Sequence, residues 1–250
     1  MQKISSMFKG ILWLVLGSLT QVFSNVEVVQ TRLVPPDNID EFVERETTYW
    51  SEVARKAIKD GKMVGWSLWQ RLDGLNVDES HNFMFINSYA ETTDLDHTDE
   101  IWNFKKVFPN KKLEDVDTFG LSTVKDVLFY DRIAFSSKAQ PKFIRINYAK
   151  AADVQDYLDL ELIEWFPFVQ ERMDSGKTNV VSWELSRLVA PRGRDIPHGA
   201  ISIDGFDTLS AALFTYYGTD VPFPDIEALQ KVHYKAEVHV YKLIKAVGQE

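Results

Sequence analysis

Five charged or titratable residues lie on segments that the sequence predicts to be β-strands, where a charge must be paired or used. They are Arg32, Arg145, Glu184, Glu237 and His239. Burying a charge without a partner is costly. One interpretation is a ligand pocket. The other is that Arg32 and Arg145 pair with Glu184 and Glu237 and fix how two parts of the protein meet.

The pocket interpretation assigns chemical roles to these side chains. A histidine or glutamate moves protons, and an arginine stabilises an enolate-like anion. The candidate catalytic residues are therefore His239, Glu184 and Arg145. Aromatic and polar groups would orient a small organic ligand. The candidate ligand-binding residues are Arg32, Trp69, Asn147, Tyr130 and Tyr241.

No metal or cofactor motif accompanies these residues. The five histidines lie in different segments without HExxH spacing, and the acidic stretch from Asp94 to Glu100 lacks the glycine of an EF-hand loop. The chain has no GxSxG, no phosphate-binding loop and no dinucleotide fingerprint. Without cysteine, thiolate sites and disulfides are excluded. We expect neither a metal nor a cofactor.

The composition limits the partners of the protein. The chain has 250 residues, of which 45% are hydrophobic, and this length suffices for a substantial core. Its net charge of −9 repels nucleic acid and anionic membranes. The expected partner is a small organic ligand.

Residues 1–24 have the pattern of a signal peptide. Lys3 and Lys9 precede the apolar run from Ile11 to Leu16, and small residues follow near Ser24. The pattern predicts export to the periplasm or the exterior, with no stable membrane insertion after cleavage. An uncleaved anchor remains the alternative, although the run is short for a membrane span.

The rest of the chain contains an internal repeat. The stretch 46–69 matches the stretch 161–184 at an offset of 115 residues, so that Trp50 aligns with Trp165 and Gly61 with Gly176. A repeat of this kind decides the fold prediction. It divides the chain into a first unit, 25–138, and a second unit, 139–250.

Each unit is predicted to fold in the order βαββαβ. In the first, Asn38 and Glu41 would form a capping box at the start of the long helix, and Gly61 would end that helix. In the second, Asp153 and Gly176 take the corresponding positions.

The βαββαβ order is that of ferredoxin-like units. With two units in one chain, the sequence resembles the dimeric α+β barrel superfamily, with its usual homodimer fused into one polypeptide. The resemblance implies an α+β fold of tandem ferredoxin-like repeats, whose antiparallel sheets pack face to face as a pseudo-dimeric barrel. Two such domains side by side remain the alternative, and a further homodimer stays open.

The resemblance implies a pocket without deciding its chemistry. The superfamily includes small oxygenases without metal or flavin, isomerases, decarboxylases and haem proteins. The enzyme hypothesis is a cofactor-independent monooxygenase-like or isomerase-like reaction on a small aromatic substrate. The binding hypothesis is an exported protein that holds a ligand without reaction. For a haem variant, no histidine has the context of an axial ligand.

Strand alternation predicts which side chains face the other sheet. On the first strand of each unit, Val29 and Ile144 would face the helices. Arg32 and Arg145 would face the space between the units. This assignment places the candidate pocket between the two sheets.

Overall fold

The computed structural model describes residues 25–74, 80–193, 196–218, 220, 223–224 and 233–248. The predicted signal peptide, residues 1–24, lies outside the described residues, as does most of the helix that the sequence predicts after Phe223-Pro224. The described part contains eight strands. They are β1 (Asn25–Leu33), β2 (Gly65–Arg71), β3 (Phe83–Tyr89), β4 (Thr123–Ser137), β5 (Phe143–Ala151), β6 (Val180–Ala190), β7 (Ala200–Phe206) and β8 (His233–Gly248).

The eight strands form one closed antiparallel barrel in the order β1-β3-β2-β8-β5-β7-β6-β4. Strands β1–β4 lie together in the order β4-β1-β3-β2, and β5–β8 repeat this order as β8-β5-β7-β6. The two sheets join along their edges, where β2 pairs with β8 and β4 pairs with β6. The mixed α+β architecture is as predicted. The sequence predicts two sheets that face each other as a pseudo-dimeric barrel. In the structure they also pair along their edges, and this pairing satisfies the backbone groups that open sheets would leave free.

Helices cover the outside of both halves. They are α1 (Ile39–Arg45), α2 (Ser51–Lys59), α3 (Thr98–Ile101), α4 (Val154–Leu160), α5 (Phe166–Ser175) and α6 (Leu209–Leu213), with short 3₁₀ turns at Pro36–Asn38, Thr92–His97, Phe104–Lys106 and Leu113–Asp115. Between α1 and α2 the chain makes a π-helical turn, Glu46–Trp50, and the turn Glu161–Trp165 joins α4 to α5 in the same way.

The predicted helix ends are partly confirmed. Asp153 caps α4 by accepting hydrogen bonds from the backbone N–H groups of Gln155 and Asp156, at 2.8 and 3.2 Å. Gly176 follows α5 with a φ of +68°, which a residue with a Cβ rarely adopts. The capping box at Asn38 is wrong: the Asn38 Nδ2 group instead donates to the carbonyl of Leu121, at 3.1 Å.

Three apolar cores hold the fold together, and two of them lie between a sheet and its helices. The first contains Phe42, Leu68 and Phe85, and the second contains Tyr157, Trp183 and Phe206. The third fills the barrel interior, where the buried apolar residues are Val29, Trp69, Met84, Leu128, Tyr130, Ile144, Ile146, Leu188, Ile201, Ile203 and Tyr241. The middle of the barrel is thus packed with side chains.

The predicted facing of β1 and β5 is wrong. Val29 and Ile144 point into the barrel, whereas Arg32 and Arg145 lie on the helix-facing side of their sheets. On β2 and β6, the candidate pocket residues Trp69 and Glu184 do point into the barrel. The error has a physical cause. Both faces of each sheet are buried, so alternation separates two sets of side chains without showing which set is inside.

No helix among the described residues is both long and apolar enough to cross a membrane.

Candidate functional site

A cavity of about 210 Å³ lies in the first half, between the sheet and its helical layer. Its walls are largely aromatic, and its polar groups come from β1, β3, the π-helical turn and the segment before β4. The lining residues are Gln30, Arg32, Glu46, Trp50, Trp66, Phe85, Asn87, Trp102, Thr118 and Phe119. Such walls with a few convergent polar groups are typical of sites for small organic ligands.

The π-helical turn places two of these side chains. Glu46 is its first residue and Trp50 its last, and both line the cavity. Single π-turns within helices are uncommon and frequently occur at functional sites. Trp50 is held in place because its Nε1 group donates to the carbonyl of Val116, at 2.7 Å. The ring of Trp50 therefore forms part of the cavity wall.

Glu46 and Arg32 are joined through one hydroxyl group. The Thr118 Oγ1 hydroxyl donates to Glu46 Oε1 at 2.6 Å, and Arg32 Nη1 donates to Thr118 Oγ1 at 3.2 Å. Arg32 also donates to Gln30 Oε1 at 2.8 Å and to Ser122 Oγ at 3.3 Å. These oxygen partners of Arg32 are all neutral. The guanidinium therefore keeps its positive charge available to an anion in the cavity.

Burial controls the protonation of Glu46, which is only 3% exposed. It raises the pKa of Glu46 to about 7, although the Thr118 hydrogen bond and the Arg32 charge oppose the rise. A carboxyl group with this pKa exchanges protons readily at neutral pH. Burial also lowers the pKa of Arg32. The Cζ atom of Arg32 lies over the rings of Phe85 and Phe119, at 5.1 and 4.1 Å from the ring centroids.

Asn87 adds a free acceptor to the cavity. Its Nδ2 group donates to the carbonyl of Val28 at 3.3 Å. Its Oδ1 atom is buried and has no hydrogen-bond partner among the described residues. A buried acceptor of this kind is unfavourable unless something donates to it. Asn87 is therefore suited to a hydroxyl or amide donor on a ligand.

The structure distributes the predicted site residues among several places. Arg32 is the one that lines the aromatic cavity, whereas Trp69 and Glu184 lie inside the barrel at one end. Arg145 and Asn147 lie on the helix-facing side of the second half, where both donate to Asp204. They do not form one pocket with Arg32.

The predicted pairing between the units is also wrong. Arg145 pairs with Asp204 at 2.8 Å, and Glu184 pairs with Arg132 at 3.2 Å. Glu237 lies 3.6 Å from His239 on its own strand. Arginines and carboxylates do form ion pairs, but with different partners from those predicted. The reason is that the side chains of β1 and β5 face the opposite side of the sheet from the predicted one.

The remaining predicted residues lie at the other end of the barrel interior. His239 Nδ1 is 3.0 Å from Arg71 Nη2. Tyr241 forms a hydrogen bond with His81, at 2.9 Å. Tyr130 forms one with His198, at 2.7 Å, so each tyrosine is joined to a histidine of the other half. Burial lowers the pKa of His81 to about 4 and also lowers that of His198. The neutral histidines share these hydrogen bonds with the tyrosines and so connect the halves.

Metal binding has no candidate in the part of the chain that the structure describes, where no group of three or more His, Cys, Asp or Glu side chains converges.

The sequence analysis missed Glu46 and Thr118 as site residues. A signal for Glu46 was present, because the repeated stretches begin with Glu46 and Glu161 and each also contains a tryptophan four residues later. Thr118 had none, since it lies in a segment without a counterpart in the repeat.

The comparisons with known proteins place the fold. No known family and no curated protein matches the sequence. Among solved structures, the chain is similar to a provisionally assigned monooxygenase from Lactobacillus acidophilus, with a TM-score of 0.57, 11% identity and coverage of 90% of this chain and 97% of that chain. A provisionally assigned monooxygenase from Fusobacterium nucleatum has a TM-score of 0.58 and 11% identity, with coverage of 90% and 95%. An anthrone oxidase-like protein has a TM-score of 0.52 and 11% identity, with coverage of 90% and 93%. These proteins share the dimeric α+β barrel architecture.

Proposed function

We propose that this chain, which has the fold of the dimeric α+β barrel superfamily, binds a small aromatic molecule in the first-half cavity and transfers a proton there through Glu46. The observation that carries the proposal is the chain of hydrogen bonds from Glu46 through Thr118 to Arg32, inside an aromatic cavity of about 210 Å³. The reaction class is cofactor-independent, monooxygenase-like or isomerase-like.

The first step is the removal of a proton from an acidic C–H or phenolic O–H bond. The ionised carboxylate of Glu46 takes the proton, and the electron pair of the broken bond stays on the substrate as an enolate or phenolate. The charge of Arg32 stabilises this anion, because the described partners of the guanidinium are neutral. Asn87 Oδ1 accepts a hydrogen bond from a hydroxyl group of the substrate.

The anion then follows one of two routes. In an isomerase-like reaction, Glu46 returns the proton to another atom of the substrate. In a monooxygenase-like reaction, dioxygen is the co-reactant that accepts electrons. One of its oxygen atoms enters the substrate as a carbonyl oxygen at a former CH₂ group, and the other leaves as water. The names of the structural neighbours support the second route at the level of the fold alone.

The test uses anthrone as the probe, because its CH₂ group is acidic and flanked by aromatic rings. We expect the protein to accelerate anthrone oxidation, followed by oxygen consumption and by the absorbance of the quinone. Glu46→Gln should lower the rate at least about 100-fold, since it removes the proton acceptor. The rate of the unsubstituted protein should rise with pH through about 7, where Glu46 ionises.

Glu161→Gln is the matched control, because Glu161 occupies the same position in the second π-helical turn. It should leave the rate within about twofold, since Glu161 does not line the first-half cavity. An equal loss of the oxidation rate in both variants would show that the substitutions disturb folding and not the reaction itself. An unchanged rate in Glu46→Gln would refute the role of Glu46.

The binding hypothesis remains the second candidate, supported by the aromatic walls alone. It predicts that a stable phenol such as 2-naphthol binds, that Arg32→Met weakens the binding, and that no turnover occurs. Fluorescence titration combined with the oxygen measurement separates the two candidates.

The origin and location of the protein belong to the same proposal. The shared strand order of β1–β4 and β5–β8 supports a duplication of one ferredoxin-like unit. Export through residues 1–24 is proposed from the leader pattern. N-terminal sequencing of the exported protein tests cleavage near Ser24, and light scattering of the mature chain tests whether it forms a homodimer.

A further inference from the structure

A second cavity, of about 230 Å³, lies inside the barrel at the end away from the tyrosine–histidine pairs. Both halves contribute to it. Its lining residues are Glu27, Ser67, Trp69, Ile86, Ser88, Arg132, Phe135, Ser137, Gln140, Pro141, Ile144, Ser182, Glu184 and Ile203. The side chains of Ser137 and Gln140 are exposed and lie at its rim, so solvent reaches this end of the barrel.

The charged groups that line this cavity are two carboxyls and one guanidinium. Glu27 comes from β1, Arg132 from β4 and Glu184 from β6. Arg132 pairs with Glu27 through Nη2 and lies 3.2 Å from Glu184 through Nε. The facing residues of β2, β3, β5 and β7 are neutral. With both carboxyls ionised, the site carries one net negative charge.

Hydrogen bonds fix one side of each carboxyl group. Ser88 Oγ donates to Glu27 Oε1 at 3.2 Å, and Ser186 Oγ donates to Glu184 Oε1 at 3.0 Å. Glu27 is 1% exposed, yet its Oε2 atom accepts no hydrogen bond from an amide, guanidinium or alcohol donor of the described residues. A buried carboxylate oxygen of this kind requires a donor, and when no ligand is bound the protonated Glu184 carboxyl hydrogen-bonds to Glu27.

We propose that this cavity is a second ligand site, which takes a small primary amine with an aromatic or aliphatic tail. The ammonium group would donate to Glu27 and Glu184 and supply the missing positive charge. The tail would lie against Trp69, Ile144 and Ile203, where an aromatic face also attracts a cation. The ligand class differs from that of the first-half cavity, which offers a guanidinium to an anion.

In the absence of an amine, a proton occupies the position of the ammonium group. Burial raises the pKa of Glu184, Arg132 opposes that rise, and the neighbouring Glu27 charge together with a Glu27–Glu184 hydrogen bond adds to it. The pKa of Glu184 is thereby raised to about 8, so this carboxyl keeps its proton near neutral pH. Amine binding must release this proton, so the affinity falls as the pH falls.

The test is isothermal titration of the full chain with benzylamine, with benzyl alcohol as the uncharged probe of nearly the same shape. We expect saturable binding of benzylamine that is at least about tenfold tighter than that of benzyl alcohol. Benzylamine should also bind more weakly at about pH 6 than at about pH 8, because protons compete for the carboxyl pair. Buffers of different ionisation enthalpy report the released proton.

Four variants locate the site. Glu184→Gln and Glu27→Gln should each weaken benzylamine at least about tenfold. Ser182→Leu should abolish binding by filling the cavity while both carboxyls remain. Glu161→Gln is the control outside the site, since Glu161 lines neither cavity, and it should bind benzylamine normally. Circular dichroism confirms that each variant is folded, and the Ser182 variant tests the site even if a carboxyl variant unfolds.

Three results would overturn the proposal: no saturable binding of benzylamine, equal affinity for benzyl alcohol, or normal binding by the folded variants at Glu27, Glu184 and Ser182. None of them bears on anthrone turnover, because Glu27 and Arg32 lie on opposite faces of β1.

Discussion

Glu46 in the first half and Glu161 in the second begin equivalent π-helical turns, and both carboxyls are buried between a sheet and its helices. Burial raises the pKa of each to about 7. Their surroundings differ. Glu46 lines an aromatic cavity and accepts from Thr118, whereas Glu161 accepts from the hydroxyl of Tyr157, at 2.7 Å.

The arginines of the two halves show the same contrast. Arg145 is neutralised by Asp204 and donates to Thr215, while Arg32 donates to neutral side chains. In the second half Asp204 pairs with the guanidinium of Arg145, which favours stability. In the first half the guanidinium charge has no carboxylate in direct contact, which favours ligand binding. Under the proposed function, the second half serves as scaffold while the first half holds the reactive site.

The largest expected effect is on stability in the second half. Asp204→Ala leaves Arg145 without its counter-ion and should lower the free energy of unfolding by about 3 kcal/mol. Arg32→Met should cost less, about 1 kcal/mol, because the side chains to which Arg32 donates directly are neutral. Urea unfolding measures both. An equal loss of unfolding free energy in the two variants would contradict the proposed difference between the halves.

The pH dependence of stability should be shared by the halves. The pKa of Glu46 and of Glu161 is about 7 in the folded chain, and the usual value is 4.5. Between these values the folded chain holds protons that the unfolded chain has released. Stability therefore falls as the pH rises through this window, by up to about 3 kcal/mol for each carboxyl.

Urea unfolding across this pH window checks the shared dependence. Glu161→Gln and Glu46→Gln should each reduce the dependence of the unfolding free energy on pH. Only Glu46→Gln should affect anthrone oxidation. A slope that neither variant changes would contradict the assigned protonation.

An exchange of one hydroxyl group tests the reactivity that we propose for the first half. Phe42 aligns with Tyr157 at the repeat offset of 115 residues. Phe42→Tyr should place a donor next to Glu46, as Tyr157 does for Glu161, and stabilise the ionised carboxyl. We expect the apparent pKa of the reaction to fall and the turnover at about pH 8 to drop about tenfold, because the carboxylate becomes a weaker base. An unchanged pH profile would show that the tyrosine is not what distinguishes the halves.

The smallest effect is expected for the reverse exchange. Tyr157→Phe removes the Tyr157 hydrogen bond to Glu161 and should cost about 1 kcal/mol of unfolding free energy. It should also raise the pKa of Glu161 further, since that hydrogen bond lowers it. Thermal unfolding at about pH 5 and about pH 8 measures both, and a larger cost is expected at the higher pH, where the carboxylate form matters.

Much of the fold was predictable from the sequence because it depends on local signals. The offset of 115 residues between Trp50 and Trp165 predicted two equivalent units. The order of strands and helices followed from apolar periodicity, and Asp153 and Gly176 were recognised from the chemistry of helix ends. The repeat also contained Glu46 and Glu161 at equal positions, although their role was not inferred.

The site was less predictable because it depends on long-range contacts. Thr118 donates to Glu46 although the two residues are 72 positions apart in the sequence, and no local sequence pattern predicts such a contact. Arg32 was recognised as a ligand-binding candidate but was assigned to the wrong face of β1. The residues grouped into one site from the sequence, among them Arg145, Glu184 and His239, lie in separate parts of the molecule.

The sequence by itself determined the repeat, the order of the elements and the alternation of two side-chain sets along each strand. Only the tertiary structure decided which set faces the barrel interior and which faces the helices. The physical reason is that barrel closure buries both faces of every sheet. Polar and apolar residues then no longer distinguish inside from outside, and each charge is placed by the partner that satisfies it.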